Sequence, residues 1–337
     1  MQAIIPLAGK GTRVRPHTHS RPKPLLRVAN RPVLSYVIEQ LRAEGVDELV
    51  LITGHLSRQI ENFIAEEYPD LSVSYVEQKE QLGTAHAIAL AEPLVSSSVL
   101  IVFVDTLLDA DFGVIHQRQE ADGIIWVKEV EDYQRYGVVL TDKTGYMERI
   151  VEKPKEPVSK LANVGVYFIR DYELMFKGIR HVIDQDPNQG EYFLTDAFQY
   201  MIDKGARLYT AEARGWFDCG KPETVLDTNA VMLERGHGGH RNLPDSVSVE
   251  GVVAVAEDAT IEASHIGPNV SVAGGSTVRG SRLKNTIIGE SSIIEDCDLE
   301  DSLVGDEAVI RRARGRFRVG DHTHIEGIET EREGELG

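Results

Sequence analysis

Residues 3–13, Ala3-Ile4-Ile5-Pro6-Leu7-Ala8-Gly9-Lys10-Gly11-Thr12-Arg13, join an apolar strand candidate to a loop that contains two glycines. A strand that feeds a glycine loop is a common way to cradle phosphate groups with backbone N–H groups. The surrounding charge agrees, because the stretch from Met1 to Ile38 contains no Asp or Glu although the whole chain contains 54. The basic residues of that stretch are Lys10, Arg13, Arg15, Arg21, Lys23, Arg27 and Arg31. The loop therefore predicts a site for an anionic ligand.

Two commoner glycine motifs do not fit this loop. A dinucleotide-binding fingerprint needs a third glycine three residues after the second, where Val14 stands. A P-loop needs Gly-Lys followed directly by Ser or Thr, but Lys10 is followed by Gly11. The loop belongs to neither motif.

Composition limits the class of protein. A chain of 337 residues exceeds the roughly 250–300 residues at which a single core stops growing, so two domains are expected. A net charge of −18 argues against a general binder of nucleic acid or of anionic membranes, and it fits ordinary solubility better than a high-salt habitat. No signal peptide or long apolar run is present, and two cysteines, Cys219 and Cys297, suit a reducing compartment as packing residues. We therefore expect a cytoplasmic protein.

The chain up to about residue 235 alternates strand-like and helix-like runs, which predicts an α/β domain with parallel strands and crossover helices. The strand candidates are 48–53, 73–76, 98–104, 124–130 and 164–169. One helix is predicted from Leu34, Val37, Ile38 and Leu41, with Gly45 as its stop. A second is predicted to start from Ser57 as N-cap, with Ile60, Phe63 and Ile64 on one face. The ligand crevice should lie at the carboxyl ends of the strands.

The periodicity changes after a linker-like glycine and histidine stretch. We predict a catalytic domain at 1–235, a linker at 236–246, a β-helix at 247–325 and an acidic, disordered tail at 326–337. Aliphatic residues recur every five or six positions, at Ile261, Ile266, Val272, Val278, Leu283, Ile288, Ile294, Leu299, Val304 and Ile310. This spacing is typical of a hexapeptide β-helix. The alternative, an antiparallel sheet, would require period-two alternation and hairpin turns.

Several motifs together resemble the sugar-1-phosphate nucleotidyltransferases. The loop continues as LAGKGTRVRP (7–16) and RPKPLL (21–26), and QKEQLGTAHA (78–87) is similar to the base-reading segment of that family. Further matching elements are Asp105 in VFVDTLL, Tyr136-Gly137, Glu152-Lys153-Pro154, Asn163 to Tyr167 and Trp216 to Gly220. The whole chain most resembles the long glucose-1-phosphate thymidylyltransferases. One departure is Val104 before Asp105, where many relatives have glycine.

The resemblance implies a Rossmann-like, mostly parallel sheet followed by a short left-handed parallel β-helix of hexapeptide repeats. It implies Arg13 and Lys23 as catalytic residues and Mg²⁺ as cofactor, held by Asp105 and Asp218. The implied nucleotide-binding residues are Leu7, Ala8, Gly9, Gly11, Thr12, Gln78, Gly83 and Thr84. The implied sugar-phosphate-binding residues are Gly137, Glu152, Lys153 and Asn163. Arg15, Arg27 and Arg31 are interpreted as surface charges, and His17, His19, His86 and His265 receive no role.

The implied reaction joins a nucleoside triphosphate to a sugar 1-phosphate and releases pyrophosphate. Thymidylyl transfer to glucose 1-phosphate is the first expectation. Uridylyl transfer giving UDP-glucose or UDP-N-acetylglucosamine follows, because the loop and Gly83 to Ala87 also resemble uridylyltransferases, and guanylyl transfer to mannose 1-phosphate is more distant. Two rivals are a nucleotide-sugar sensor without catalysis and an acyltransferase built on the β-helix, for which the repeats are few. We expect the β-helix to form a homo-oligomer by stacking its coils.

Overall fold

The computed structural model describes residues 1–188, 190–241 and 243–327. Most of the predicted acidic tail, residues 328–337, lies outside the described residues. Contacts divide the chain into two compact units. Unit 1 contains Met1–Lys10 and Leu34–Phe217, and unit 2 contains Gly11–Val33 and the chain from Asp218 onward. The domain boundaries predicted at residues 235 and 246 stay predictions.

The first part of the chain alternates strands and helices. The strands are β1 (Gln2–Pro6), β2 (Arg27–Val28), β3 (Arg31–Pro32), β4 (Glu48–Thr53), β5 (Ser72–Glu77), β6 (Val99–Val102), β7 (Thr106–Ala110), β8 (Gly123–Glu129), β9 (Gly137–Thr141), β10 (Met147–Glu152), β11 (Leu161–Ile169) and β12 (Leu208–Asp218). The helices are α1 (Val33–Ala43), α2 (Ser57–Glu67), α3 (Thr84–Ala89), α4 (Val114–Gln117), α5 (Tyr172–Ile183), α6 (Leu194–Asp203) and α7 (Pro222–Met232). No helix in the described ranges is long and apolar enough to cross a membrane.

The main sheet has the strand order β5-β4-β1-β6-β11-β8-β12-β7, with β9 and β10 attached beside β11. Strands β5, β4, β1 and β6 are parallel, which confirms the predicted α/β fold with a mostly parallel sheet. Strand β11 runs antiparallel to both β6 and β8. The reason is its connection: the chain reaches β11 from β8 through the β9–β10 hairpin, without a crossover helix.

The central strands are buried on both faces, so they read as continuous apolar runs. Ile4 and Ile5 in β1 and Leu100 and Ile101 in β6 have no exposed surface. Because β1, β4 and β6 are parallel, their carboxyl ends lie at one edge of the sheet. The glycine loop, Gly54 and Asp105 follow these three ends in the sequence, as the crevice prediction requires.

The first helix was predicted correctly and the second only in part. Leu34, Ile38 and Leu41 are buried in α1, and Gly45 has a φ of 73° beyond its end. The prediction that Ser57 caps α2 is wrong, because Ser57 is the first helical residue and Leu56, at a φ of 65°, occupies the cap without a side-chain bond. The Ser57 N–H donates to the Gly54 carbonyl at 3.2 Å, so the chain turns into the helix one residue early.

Unit 2 contains a stack of short strands, here called the strand stack (residues 248–326). Its strands are β13 (Ser248–Val249), β14 (Val253–Val255), β15 (Thr260–Glu262), β16 (His265–Ile266), β17 (Val270–Val272), β18 (Thr277–Arg279), β19 (Arg282–Ile288), β20 (Ile293–Glu295), β21 (Asp298–Val304), β22 (Val309–Arg311), β23 (Arg314–Gly315), β24 (Arg318–Val319) and β25 (His324–Glu326). Register partners include Ser248 with His265, Arg282 with Asp298, and Val309 with His324, so paired strands follow each other at a short and nearly constant interval of sequence.

The pairing in the strand stack is parallel, which excludes the antiparallel alternative for these strands. The predicted aliphatic positions Ile261, Val278, Ile294 and Ile310 are consecutive register partners, and each is buried. Parallel strands that recur at this near-constant interval are consistent with the predicted β-helix. Cys297 lies in the same apolar core as a free thiol, in agreement with its predicted packing role.

Candidate active site

The first half of the glycine loop lies in unit 1 and is held by the end of β4. Leu7 and Ala8 are buried, and the Leu7 N–H donates to the Ile52 carbonyl at 2.7 Å. A Cβ placed on Gly54 would lie 3.1 Å from Ala8, so a larger residue would crowd the glycine loop at this point. Gln81 adds a hydrogen bond from Nε2 to the Ala8 carbonyl at 2.6 Å. Gln81 was not predicted as a site residue, although it lies within the segment 78–87.

A cleft of about 260 Å³ opens beside this half of the loop. It is lined by Lys10, Gly54, His55, Glu77, Gln78, Lys79 and Gln81. The Gln78 side chain is buried, and its amide nitrogen lies 3.3 Å from Nδ1 of His86, a histidine to which the sequence assigned no role. The structure therefore brings Gln78 to the glycine loop and orients its amide.

Gly83 and Thr84, also predicted to bind nucleotide, contact a different part of unit 1. Gly83 precedes α3 with a φ of 113°, and a Cβ there would lie 2.6 Å from the Tyr192 nitrogen. The Thr84 hydroxyl accepts a hydrogen bond from the Leu194 N–H at 2.9 Å. Their observed contacts connect the start of α3 to the start of α6.

The second half of the loop lies in unit 2 and folds back on itself. Gly11 has a left-handed φ of 59° and starts the short turn Thr12–Val14. Thr18 donates from its hydroxyl to the Gly11 carbonyl at 2.7 Å, and a Cβ on Gly11 would lie 3.1 Å from the Lys23 Cβ. Lys23 begins a second short turn, Lys23–Leu25, after Pro22. The segment thus places Lys23 next to Gly11.

Arg13 and Asp218 are neighbours in unit 2. The Gly220 N–H donates to Oδ1 of Asp218 at 2.7 Å, which orients the carboxylate, and Thr228 donates to the Asp218 carbonyl at 2.9 Å. A Cβ on Gly220 would lie 2.6 Å from Oδ1 of Asp218 and 3.3 Å from Nη2 of Arg13. Gly220 therefore leaves room for both charged groups in one place.

Three of the four predicted sugar residues meet in unit 1. Asn163 donates from Nδ2 to the Gly137 carbonyl at 2.8 Å, and a Cβ on Gly137 would lie 2.8 Å from Oε2 of Glu152. Thr195 donates its hydroxyl proton to the same Glu152 oxygen at 2.9 Å. Lys153 follows with a φ of 43°, and its Nζ lies 4.6 Å from the centre of the Phe193 ring. Thr195 was missed because only the tertiary structure brings it to Glu152.

Burial controls the protonation of this cluster. It raises the pKa of the Glu152 carboxyl above its usual value, against the opposing effects of the Thr195 hydroxyl and of Lys153. Burial also raises the pKa of the Tyr167 hydroxyl, and the carboxylates of Glu152 and Asp105 raise it further. Tyr167 is therefore a fixed donor, and it donates to Oδ1 of Asn163.

The two predicted metal ligands belong to different units. Asp105 is half-buried in the turn between β6 and β7 in unit 1, and Asp218 begins the unit 2 segment. Among the residues that the structure describes, no group of three or more His, Cys, Asp or Glu side chains could hold a metal ion. Carboxylate oxygens nevertheless fit Mg²⁺, which commonly takes one or two carboxylates and completes its shell with water and substrate phosphates.

Comparison with known proteins agrees with these motifs. A model of the family described as nucleotidyl transferase matches residues 2–235. The chain is 32% identical to the low-salt glycan biosynthesis nucleotidyltransferase Agl11 of Haloferax volcanii, over 96% of this chain and 99% of that protein. It is 29% identical to a glucose-1-phosphate thymidylyltransferase of Streptomyces antibioticus, over 97% and 99% of the two chains. It is 33% identical to the UTP–glucose-1-phosphate uridylyltransferase AglF of Haloferax volcanii, over 66% and 93%.

A solved structure supports the fold. The crystal structure of a UDP-glucose pyrophosphorylase complexed with UDP-glucose superposes with a TM-score of 0.60 at 23% identity, over 69% of this chain and 98% of that one. At that identity the likeness concerns the fold alone. The family model and the relatives that align over nearly the whole chain assign more than the fold. The chain belongs to the nucleotidyl transferase family and is an enzyme of the sugar-1-phosphate nucleotidyltransferase type.

Proposed function

We propose that the enzyme transfers a thymidylyl group from dTTP to glucose 1-phosphate, giving dTDP-glucose and pyrophosphate. The observation that carries this choice is the length of the match. The Streptomyces antibioticus thymidylyltransferase aligns over 97% of this chain, so the match includes the strand stack, whereas the uridylyltransferase AglF aligns over 66%.

The proposed roles follow from charge. A nucleoside triphosphate and a sugar phosphate must approach each other, and two unit charges at ~4 Å repel by about 4 kcal/mol at an effective dielectric constant of 20. Arg13 can hold the β- and γ-phosphates with its planar fork, and Lys23 the α-phosphate. Lys153 would bind the phosphate of the sugar. The cations lower the repulsion so that an oxygen of the sugar phosphate can attack the α-phosphorus and displace pyrophosphate.

Sugar hydroxyls would be read by the cluster of Gly137, Glu152 and Asn163. The Asn163 side-chain nitrogen donates to the Gly137 carbonyl. Thr195 donates to Oε2 of Glu152, and Tyr167 donates to Oδ1 of Asn163. Such preorganised polar groups can distinguish hexoses, because a wrong epimer would leave a buried group without its partner.

Asp105 and Asp218 would hold Mg²⁺. When bound, the ion would neutralise charge on the transferred phosphate. The Gly220 N–H orients the Asp218 carboxylate, and Asp105 lies in the turn after β6.

Uridylyl transfer is the second candidate, favoured by the 33% identity to AglF. A glutamine amide such as that of Gln78 can pair with the N3–H and the neighbouring carbonyl of either uracil or thymine, since the two bases share that edge. The cleft chemistry therefore favours these bases over cytosine and leaves the choice between them to the 5-methyl group and the ribose.

We also propose that the strand stack is a left-handed β-helix and that its flat coils form a homo-oligomer. The parallel pairing and the near-constant interval between register partners support the β-helix. Size-exclusion chromatography with light scattering would test the oligomer, and a monomer at micromolar concentration would contradict it.

The test of the proposed function is pyrophosphate release with Mg²⁺ across a grid of dTTP, UTP, GTP, ATP and CTP against glucose, galactose, mannose and N-acetylglucosamine 1-phosphates. We expect the strongest signal with dTTP and glucose 1-phosphate, lowered by about 10²-fold or more in Asp105→Asn. Asp70→Asn is the matched control, because Asp70 is an exposed partner of Arg42 on the surface. A strongest signal with UTP would replace the proposal by the second candidate.

A further inference from the structure

The segment Gly11–Val33, which carries Arg13 and Lys23, is fastened to the strand stack by ion pairs. Arg21 pairs with Asp306 and lies 3.8 Å from Glu290, and Arg27 pairs with Glu290. These carboxylates lie near the opposite end of the sequence. Arg27 is thus partly buried and paired, and the prediction that it is a surface charge is wrong.

Two further contacts secure the same segment. Ser20 donates to Oδ2 of Asp321 at 2.6 Å. At the other end, Asn30 donates from one nitrogen to the carbonyls of Ala254 and Val272, at 3.0 and 2.8 Å. The segment is therefore bound near its middle and near its end.

The arrangement depends on the acidic partners. Burial and the neighbouring Arg27 lower the pKa of Arg21, while Glu290 and Asp321 raise it again. The two guanidinium groups repel each other, and the carboxylates of the stack that pair with them offset that repulsion. Asp306 is itself held in place, because its Oδ1 accepts the Glu290 N–H at 2.8 Å.

We propose that the strand stack holds the phosphate-binding segment Gly11–Val33 in its working conformation, with Asp306 and Glu290 as positioning residues that act through Arg21 and Arg27. The proposal rests on the proposed function for its catalytic consequence. In this proposal the strand stack contributes to catalysis within its own chain. This role is separate from the proposed role of the stack in forming a homo-oligomer. Loss of these pairs should loosen the segment and displace Arg13 and Lys23 while the stack stays folded.

A double-mutant cycle tests the proposal in the full-length enzyme with Arg21→Met, Asp306→Asn and the double variant. Two readouts are measured: hydrogen exchange of residues 11–33, and kcat/KM for pyrophosphate release. We expect each single variant to exchange faster and to lose about tenfold in kcat/KM, with the double variant no worse than either single one. Lys284→Met is the matched control, because Lys284 and Glu300 form an exposed pair within the stack, 2.6 Å apart.

The two readouts separate the possible failures. Unchanged exchange in Arg21→Met overturns the proposal, and this variant leaves the stack intact even if Asp306→Asn does not fold. Faster exchange with full kcat/KM overturns the positioning role. A wild type that releases no pyrophosphate on the grid refutes the proposed function instead, and the exchange data then still decide whether the stack holds the segment.

Discussion

Replacing Asn229 by alanine should destabilise unit 2 strongly. Asn229 has no exposed surface in α7. Its Oδ1 accepts from the Ala29 N–H and from the Ser271 hydroxyl, both at 2.7 Å, and its Nδ2 donates to the Asn269 carbonyl at 3.2 Å. One side chain thus connects the segment Gly11–Val33, helix α7 and the strand stack, all within unit 2.

The size of the effect follows from these three bonds. Each is worth about 1 kcal/mol, and the buried Ala29 N–H left without a partner costs about 1–3 kcal/mol on its own. Alanine returns about 0.6 kcal/mol through its higher helix propensity. We therefore expect the free energy of unfolding to fall by about 3 kcal/mol, or the Tm by roughly 6–12 °C at about 2–4 °C per kcal/mol.

The assay is urea denaturation of wild type and variant followed by circular dichroism. Asn62→Ala in α2 is the control, since Asn62 is exposed and gains the same helix propensity without losing buried bonds. A loss below about 1 kcal/mol, or a change equal to that of Asn62→Ala, would refute the reasoning that these three bonds stabilise the junction.

Three further predictions concern single side chains. His86→Phe should free the Gln78 amide to turn over, because the contact to Nδ1 is lost, and should lower the kcat/KM preference for dTTP over CTP about tenfold. Glu152→Gln should raise the free energy of unfolding at pH 7, because wild type must ionise a buried carboxyl there, and the gain should vanish as the pH falls below about 4.5. Burial lowers the pKa of His17 to about 4, so the unfolded chain takes up a proton before the folded one as the pH falls from about 6.5. The free energy of unfolding of the wild type should then fall by up to about 3 kcal/mol between pH 6.5 and pH 4, and that of His17→Gln should fall by less.

Each of these predictions has a contradicting result. An unchanged dTTP-to-CTP ratio would show that His86 does not orient Gln78. Equal unfolding free energies for wild type and Glu152→Gln at pH 7 would remove the cost assigned to that buried carboxyl. Parallel pH–stability curves for wild type and His17→Gln would contradict the role of His17, and the exposed His19→Gln variant serves as its control.

The sequence predicted the fold well where the signal is local. Buried parallel strands such as β1 and β6 read as continuous apolar runs, and α1 shows its apolar face at helical spacing. The antiparallel direction of β11 could not be predicted in this way, because local periodicity does not indicate which neighbour a strand will pair with. The cap of α2 failed for a similar reason: Ser57 has the right residue type, but the backbone turn that begins at Gly54 decides where the helix starts.

The candidate site shows the same division. Gly137, Glu152 and Asn163 were grouped only through resemblance. In the structure Gly137 and Glu152 are register partners in the β9–β10 hairpin, and Asn163 donates to the Gly137 carbonyl. Thr195 and Gln81 form tertiary hydrogen bonds that residue spacing in the sequence does not predict. Their hydroxyl and amide groups are common on surfaces, so the residue type alone would not have identified them.

The absence of Asp and Glu between Met1 and Ile38 has two consequences for the basic residues of that stretch. Between Met1 and Ile38 no carboxylate side chain can compete with a phosphate for Arg13 or Lys23. The carboxylates that neutralise Arg21 and Arg27 come instead from the strand stack. There the hydrogen bond from the Glu290 N–H orients the Asp306 carboxylate. A carboxylate on the loop could pair with any nearby cation, whereas a fixed one pairs only with the cation placed before it. Acids positioned by the strand stack therefore neutralise Arg21 and Arg27, whereas Arg13 lies beside Asp218 and Lys23 beside Gly11.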